Sequence, residues 1–229
     1  MPEKTAIISE KIVARLSLYR RLLASEAAGG ARHIYSHQLA TMAGVSAEQV
    51  RRDMMAVGYN GTPIRGYCIA ELMSCIDGLL DAAQGQSAAI VGLGHLGRAI
   101  TVYSAGRWPK LSIVAAFDND PAKVGQVVNG CTCYQDTDIS RIVAERDIRV
   151  AIITVPASEA QKVADTLVEA GVKGILNFAP ARLRVPPDVY VENMDVAVSL
   201  EKVAYFARQG SVRQAVAGTR EAGSENALQ

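Results

Sequence analysis

The feature that most restricts the fold of this chain is a glycine-rich turn set between a buried strand and a helix. The pattern Gly92-Leu-Gly94-His-Leu-Gly97 follows the apolar run AAIVGL and opens the helical pattern LGRAITVYS. In such a turn the first glycine permits a tight bend, the second lets the backbone approach a pyrophosphate, and the third lets helix and strand pack closely. Free N–H groups and the helix dipole favour anions at this point. The pattern therefore predicts a phosphate-binding turn.

An acidic residue stands where a dinucleotide-binding unit needs one. Asp118 ends the next apolar run, SIVAAFD, 21 residues after Gly97. A carboxylate there can accept hydrogen bonds from both ribose hydroxyls of an adenosine, and it repels a 2′-phosphate. Together with the glycine turn, including His95 and Leu96, Asp118 predicts an NAD(H) site and favours NAD(H) over NADP(H).

Apolar runs alternate with helical patterns across this part of the chain. The runs are AAIVGL, SIVAAFD, VAIITVP and GILNFAP, separated by stretches such as SEAQKVADTLVEAG. Continuous apolar strands separated by helices indicate a parallel sheet covered on both faces. We therefore predict an α/β fold with a Rossmann-like doubly wound parallel sheet, and place Pro156, at the end of VAIITVP, beside the cofactor.

The N-terminal part carries the pattern of two short helices joined by a tight turn, SHQLATMAGVSAEQVRRDMMAV. Ser36 is placed to cap the first helix and Gly44 to end it in a left-handed conformation. Ser46 and Gln49 are placed to form a capping box that starts the second. This is the arrangement of a helix-turn-helix, whose second helix enters the major groove of DNA.

Basic charge is concentrated in this N-terminal part. Residues 11–70 hold eight lysine or arginine residues and three acids, a net charge of +5 in a chain whose total is +1. Such an excess of basic charge is typical of a domain that contacts DNA phosphates. The alternative interpretation is a helical dimerisation domain whose arginines are solvated. The residues predicted to contact DNA lie on the second helix and in the loop after it: Ser46, Gln49, Arg51, Arg52 and Arg65.

The loop after the second helix, GYNGTPIRGY, holds three glycines and a proline. It suits a β-hairpin wing that would bring Arg65 near a phosphate or into the minor groove. A plain loop would have the same composition, so the sequence leaves both interpretations open.

The remaining sequence gives no catalytic set. Of the three histidines, His33 and His37 flank the first helix of the helix-turn-helix and His95 lies inside the glycine turn, so none is placed as an evident acid or base. We expect a cofactor site without catalysis. The alternative is an NAD-dependent oxidoreductase whose N-terminal helices form an oligomerisation domain.

Neither a membrane span nor a secretory signal is evident, so we expect a cytoplasmic protein. Its four scattered cysteines are expected to be free thiols, with no metal site. Near the C-terminus, SLEKVAYFARQ is amphipathic, with Leu200 and Val203 on a face that needs a partner.

A set of longer motifs runs through the chain: RRDMMAVGYNG, GLGHLGRAI, FDNDP, TVPASEAQKVAD, GVKGILNFAP and VENMDVAV. In combination they resemble those of the Rex family of bacterial redox-sensing transcriptional repressors. The resemblance implies a winged-helix domain (1–84), a Rossmann domain (86–198) and a C-terminal helix swapped between the subunits of a homodimer (199–217). The polar composition of the last twelve residues, GTREAGSENALQ, predicts a disordered tail (218–229). The resemblance also implies binding to an AT-rich palindromic operator when NAD⁺ is abundant, and release when NADH rises.

The same resemblance implies roles for individual residues. Asn177 and Pro180 lie where the family lines the nicotinamide side of the cofactor. Arg21, Tyr103 and Asp195 match an arginine, a tyrosine and an aspartate that link the DNA-binding and cofactor domains and respond to the redox state.

The chain also departs from the family pattern. It has DMMAVGY where the family usually reads DLSYFGE, which places Tyr59 where an acid or a small polar residue is common. Val196 follows Asp195 where some members have an aromatic residue.

Overall fold

The structure is a computed structural model that describes residues 8–62, 65–108 and 110–209. It divides into two compact units, Met1–Gly85 and Gln86–Gln229. The first is mainly helical and the second is built around a sheet, and each has a hydrophobic core of its own. Within the described ranges, no helix combines the length and apolar character that crossing a bilayer requires.

The first unit packs its helices around one apolar core. Leu16 and Leu23 of the first helix, Val50 and Met54 of the third, and Leu72 of the fourth are all buried there. The two short strands pair antiparallel. The elements are α1 (Glu10–Ala28), β1 (His33–Ile34), α2 (Ser36–Ala43), α3 (Ala47–Ala56), β2 (Tyr67–Cys68) and α4 (Ile69–Leu80).

The helix-turn-helix prediction is confirmed for α2 and α3, with one error at a helix start. Gly44 ends α2 in the left-handed region (φ 67°), and the Ser46 hydroxyl caps α3 by accepting from the Gln49 N–H at 3.1 Å. The prediction that Ser36 caps α2 was wrong. Tyr35 occupies the cap position because Gln38, three residues on, supplies the acceptor for its N–H at 2.8 Å.

The second unit contains the predicted sheet and its helices. The predicted helix HLGRAITVYS coincides with α5. The elements are β3 (Gln86–Val91), α5 (His95–Ser104), β4 (Leu111–Asp118), β5 (Val127–Val128), β6 (Cys131–Gln135), α6 (Ile139–Glu145), β7 (Ile148–Ile153), α7 (Ala157–Glu169), β8 (Gly174–Asn177), β9 (Tyr190–Asn193) and a last helix, α8, over residues 196–209.

The seven strands lie in the order β5-β6-β4-β3-β7-β8-β9. All neighbouring pairs are parallel except β5 with β6. Leaving β5 aside, this is the strand order of a doubly wound dinucleotide-binding sheet, so the predicted fold class is confirmed. The order reverses between β3 and β7, and ligands of such sheets bind in the crevice outside the carboxyl ends at that point.

The last helix begins earlier than predicted. It was expected over residues 199–217 and begins at residue 196, because the Asp195 carboxylate caps it by accepting from the Val198 N–H at 2.9 Å. Residues 210–217 of the predicted helix and the predicted tail (218–229) lie outside the described residues.

Candidate nucleotide and DNA sites

The glycine turn after β3 has the geometry that its three glycines predict. Gly92 has φ +96°, and a Cβ there would lie 2.7 Å from the Thr154 carbonyl oxygen. A Cβ on Gly97 would collide with the Gly92 carbonyl oxygen, so only glycine lets α5 approach the turn this closely. A Cβ on Gly94 would meet no protein atom within 4 Å. The turn is therefore tightly packed on its inner side and open at Gly94, where a ligand phosphate could approach the protein backbone.

Both neighbouring strands hold this turn in place. The Gly92 N–H donates to the Phe117 carbonyl of β4 at 2.8 Å. From the end of β7, the Thr154 hydroxyl lies 2.7 Å from the Gly92 carbonyl oxygen and 3.1 Å from that of Val91. Sequence reasoning missed Thr154, whose only signal was a polar residue inside the apolar run VAIITVP.

Asp118 lies at the carboxyl end of β4 and is tied to the turn. Its Oδ2 accepts from the Leu93 N–H at 2.7 Å and from the Lys123 ammonium at 3.0 Å, and its Oδ1 accepts from the Asp120 N–H at 2.9 Å. Burial favours a higher pKa for Asp118, but these hydrogen bonds outweigh it and hold the pKa below its usual range. Asp118 is therefore ionised at neutral pH.

A cavity of about 300 Å³ opens between the carboxyl ends of β3, β4 and β7, the point where the strand order reverses. It is a cleft of the size that small ligands occupy. Apolar and polar groups share its wall: Val91, Gly92, Gly94, Asp118, Asn119, Lys123, Asp136, Thr154, Val155, Pro156, Glu159 and Val163. Valine side chains can cover an adenine face while Asp118 accepts from the ribose, so the lining fits an adenine nucleotide.

The structure gathers some of the predicted cofactor residues at this cavity and leaves others outside its wall. Gly92, Gly94, Asp118 and Pro156 line it. His95 and Leu96 are exposed in the first turn of α5, where N–H groups without helical partners face a potential anion, and Gly97 is buried beneath them.

Asn177 is bonded within the protein, and its predicted place on the nicotinamide side stays a prediction. It is 1% exposed, and its amide nitrogen donates to the Ala179 and Ala181 carbonyls and to the Asn193 side chain at 2.8–3.2 Å, while its oxygen accepts from the Ala179 N–H. With its amide fully used, Asn177 holds the loop after β8 in place. Pro180 in that loop lines a separate cleft.

The three residues assigned to redox coupling are divided between the two units, with Arg21 in the first and Tyr103 and Asp195 in the second. Arg21 is exposed on α1. In the second unit, Tyr103 is 58% exposed with the Arg107 guanidinium carbon 4.0 Å from its ring centroid, and Asp195 caps α8. No hydrogen bond joins Tyr103 to Asp195 within the described part of one chain.

The predicted DNA-contacting arginines are exposed in the first unit. Arg51 and Arg52 lie on α3, where Arg51 donates to the Ser36 hydroxyl at 3.2 Å and Arg52 forms a loose 3.6 Å ion pair with Glu48. Arg65 is exposed in the following loop. Ser46 is exposed too, although its hydroxyl is used as the α3 cap.

Gln49 is not presented as predicted. Its side-chain amide donates to Asp53 at 2.9 Å, one turn further along α3, so the side chain is directed along the helix toward a buried carboxylate. The capping box is therefore half formed, since the Gln49 side chain is bonded to Asp53 instead. Asp53, which sequence reasoning did not assign, also accepts hydrogen bonds from Arg15 and Tyr19 of α1.

Of the two interpretations of the loop after α3, the structure has the hairpin. Thr62 and Gly66 exchange backbone hydrogen bonds of 2.9 and 2.8 Å, and β2 then pairs with β1. Tyr59 lies at the base of this wing and points inward, donating to Glu71 of α4 at 2.8 Å and accepting from the Cys68 N–H at 3.2 Å. It is a structural residue of the wing.

The cysteines are unpaired thiols. Cys131 and Cys133 are buried, and burial raises the pKa of Cys131 to about 11, so it stays protonated at neutral pH. Cys68 and Cys75 are partly exposed. Among the described residues, no group of histidine, cysteine and acidic side chains has the arrangement of a metal site.

Comparison with known proteins matches both units to described families. Residues 84–181 match the family described as a CoA binding domain, and residues 7–54 match the one described as "Putative DNA-binding protein N-terminus". Over 204 residues, 89% of this chain, the sequence is 38% identical to the redox-sensing transcriptional repressor Rex of Chloroflexus aurantiacus, covering 96% of that protein. The chain belongs to the Rex family.

Other Rex proteins agree with this assignment. The Rex of Desulfitobacterium hafniense is 40% identical over 202 residues, which are 88% of this chain and 96% of that protein. The solved structure of RSP, a Rex-family repressor, in complex with β-NAD⁺ and operator DNA superposes with a TM-score of 0.83 at 30% identity, covering 93% of this chain and 98% of RSP. RSP in complex with β-NADH gives a TM-score of 0.81 at 29% identity, covering 92% of this chain and 99% of RSP. Rex proteins are transcriptional repressors, so the oxidoreductase alternative is not supported.

Proposed function

We propose that this Rex-family chain binds NAD(H) in the cavity between β3, β4 and β7 and binds operator DNA through α3 and the wing. The observation that carries the proposal is the combination, in one chain, of a cavity lined by both the open turn at Gly94 and Asp118 with a basic helix-turn-helix. The NAD⁺, NADH and operator complexes of the similar protein RSP support it.

The cavity accounts for the adenosine diphosphate half of the cofactor. The pyrophosphate lies against Gly94 at the start of α5, where unpaired N–H groups and the helix dipole favour it. Asp118 accepts from the adenosine ribose, and Val155 and Val163 cover the adenine. The nicotinamide half extends toward Pro156 and the loop that holds Pro180.

A homodimer is the second part of the proposal. The apolar side chains of α8 are 47–68% exposed, a surface that a soluble helix rarely leaves uncovered: Val196, Val198, Leu200, Val203, Tyr205 and Phe206. We propose that α8 packs on the second unit of a partner subunit. A symmetric dimer places two α3 helices on successive major grooves, so the operator is a palindrome, and an AT-rich one suits a wing that enters a narrow minor groove.

The redox response requires NAD⁺ and NADH to bind with different relative affinities to the DNA-competent and DNA-incompetent dimers, because equal affinities shift nothing. The two nicotinamides differ by one hydride and one positive charge. In the proposed switch, Asp195 and Tyr103 respond to that difference and engage Arg21 in the NAD⁺ state, which keeps the α3 helices at operator spacing. NADH breaks this arrangement and releases DNA. The site of action is the cytoplasm, where operator DNA and NADH are both present.

Fluorescence anisotropy of a labelled AT-rich palindromic promoter fragment tests the proposal. The full-length protein is titrated onto the DNA with saturating NAD⁺, with NADH, and with CoA. We expect binding with NAD⁺ and loss of binding with NADH, whereas CoA has no effect because its ribose 3′-phosphate meets the Asp118 carboxylate. Unchanged DNA affinity at saturating NADH would overturn the proposed switch, and steady consumption of NADH with carbonyl substrates would favour an enzyme.

A further inference from the structure

Lys123 lies beside the predicted ribose-binding carboxylate and has no assigned role. It follows Asp118 by five residues in the loop after β4 and lines the same cavity. Its ammonium lies 3.0 Å from Asp118 Oδ2 and 3.9 Å from Asp120 Oδ2, and its side chain is 27% exposed. A cation is thus part of the wall against which a ribose would lie.

The hydrogen bonds of Asp118 leave it fewer acceptor sites for a ribose than the sequence indicates. An ionised carboxylate has about four acceptor sites. The N–H groups of Leu93 and Asp120 and the Lys123 ammonium use three of them. Asp118 therefore has room to accept from about one ribose hydroxyl, and the expectation that it accepts from both exceeds its remaining capacity.

Lys123 has the donors that the second hydroxyl needs. An ammonium carries three N–H groups and no acceptor. One is used by Asp118 at a true hydrogen-bond distance, and the contact with Asp120 at 3.9 Å is too long to be one. The remaining donors belong to a side chain on the cavity wall, where a ribose oxygen can accept from them.

We propose that Lys123 is a specificity-determining residue of the nucleotide site, which shares the adenosine ribose with Asp118 and sets how strongly a 2′-phosphate is rejected. The inference rests on the proposed NAD(H) binding. A 2′-phosphate brought to Asp118 also comes within a few ångströms of the Lys123 ammonium, whose attraction offsets part of the repulsion by Asp118. The chain therefore rejects NADPH only in part, and removing the Lys123 charge increases its preference for NADH over NADPH.

The test compares dissociation constants for NADH and NADPH in the full-length protein, measured by calorimetry. For Lys123→Gln we expect the ratio of the NADPH constant to the NADH constant to rise about tenfold over the unmodified protein. Lys123→Arg keeps the charge and should leave the ratio within about twofold. If the glutamine variant does not fold, Lys123→Met removes the same charge from a partly exposed position.

Lys173 supplies a matched control. It forms a 2.6 Å ion pair with Asp188 on the surface and is not part of the cavity wall, so Lys173→Gln removes an equivalent lysine–aspartate pair without changing the site. The ratio should stay unchanged in that variant.

The ratio separates a specificity role from a structural one. If Lys123 only positions Asp118, its loss weakens NADH and NADPH by the same factor, and an unchanged ratio in Lys123→Gln would overturn the inference while leaving NADH binding intact. Failure of the unmodified protein to bind either nucleotide would overturn the proposed function first, and the inference with it.

Discussion

The Arg15 guanidinium of α1 donates two hydrogen bonds to the Asp53 carboxylate of α3, from Nε to Oδ2 at 2.6 Å and from Nη2 to Oδ1 at 2.7 Å. Asp53 is 1% exposed, and it also accepts from the Tyr19 hydroxyl at 2.9 Å and from Gln49. A buried carboxylate with four donors is fully satisfied. The Asp53 carboxylate therefore holds α3, the helix that carries Arg51 and Arg52, against α1.

Removing this carboxylate should loosen α3. Asp53→Asn keeps the shape but leaves the partly buried Arg15 charge without its counter-ion, which costs about 2–4 kcal/mol in the stability of the first unit. Hydrogen exchange followed in peptides from α1 and α3 measures the change locally. Glu48→Gln, which removes an exposed pair with Arg52, should cost less than about 0.5 kcal/mol. Equal protection in both variants would contradict the role of Asp53.

Acid should weaken the same unit. Burial favours a higher pKa for Asp53, but hydrogen bonds from Arg15, Gln49 and Tyr19 outweigh it, so the folded-state pKa lies below the unfolded one. The stabilisation is therefore complete above about pH 4 and is lost as the pH falls through the folded-state pKa. The difference in α3 exchange protection between the unmodified protein and Asp53→Asn, measured from pH 6 downward, should begin to narrow below about pH 4 and close as the pH passes the folded-state pKa of Asp53. A constant difference across that range would show that the carboxylate charge is not the cause.

Two glycines of the turn should respond differently to alanine. In Gly97→Ala the new Cβ meets the Gly92 carbonyl, so we expect a loss of about 2 kcal/mol or more in stability together with loss of NADH binding. Gly94→Ala meets no protein atom, so its melting temperature should not change, while NADH binds at least about tenfold more weakly because the Cβ occupies the pyrophosphate position. Thermal unfolding and NADH titration of both variants check this, and normal NADH binding by Gly94→Ala would exclude the proposed pyrophosphate site.

Substitution of Asp195 must separate its two roles. Asp195 caps α8 through the Val198 N–H, so Asp195→Ala removes the cap as well as the charge proposed to respond to the nicotinamide. Asp195→Asn keeps a capping oxygen. We expect the asparagine variant to bind NADH within about threefold of normal while the effect of NADH on operator affinity falls about tenfold. Operator titrations with and without NADH measure this coupling, and undiminished coupling in Asp195→Asn would remove Asp195 from the switch.

Arg52 should contribute to DNA affinity through phosphate charge. Arg52→Gln is expected to lower the slope of log affinity against log salt by about one, with a similar loss on specific and nonspecific DNA. Arg141→Gln removes an arginine of α6 that pairs with Asp138 and Glu145, and it serves as a control of equal charge. The same salt slope in all three proteins would place Arg52 outside the DNA interface.

The parts of the fold set by local pattern were predictable. The glycine turn, the helix after it and Asp118 at the end of β4 follow from residue type and spacing, because each depends on a backbone conformation or on neighbours close in the chain. The helix-turn-helix was recognised for the same reason, through Gly44 and the Ser46 cap.

The wrong or missing predictions concern contacts between residues that are far apart in the sequence. The Arg15–Asp53 pair joins positions 38 residues apart, and Asn177 is saturated partly by Asn193, 16 residues further on. Lys123 was passed over because its pairing with Asp118 depends on how one loop folds back. At the start of α2, Gln38 made Tyr35 the cap although serine has the stronger capping preference.

The Thr154 hydroxyl, bonded to the carbonyls of the glycine turn from the end of β7, has a consequence for timing. The turn is already formed by hydrogen bonds within the protein. Little of the backbone therefore has to become ordered when a nucleotide binds. Differences in affinity at such a site are expressed mainly in how long the ligand stays. The delay with which such a repressor reports a fall in NADH is then set by the residence time of the nucleotide, and a Thr154→Val substitution would change the speed of the response as well as its threshold.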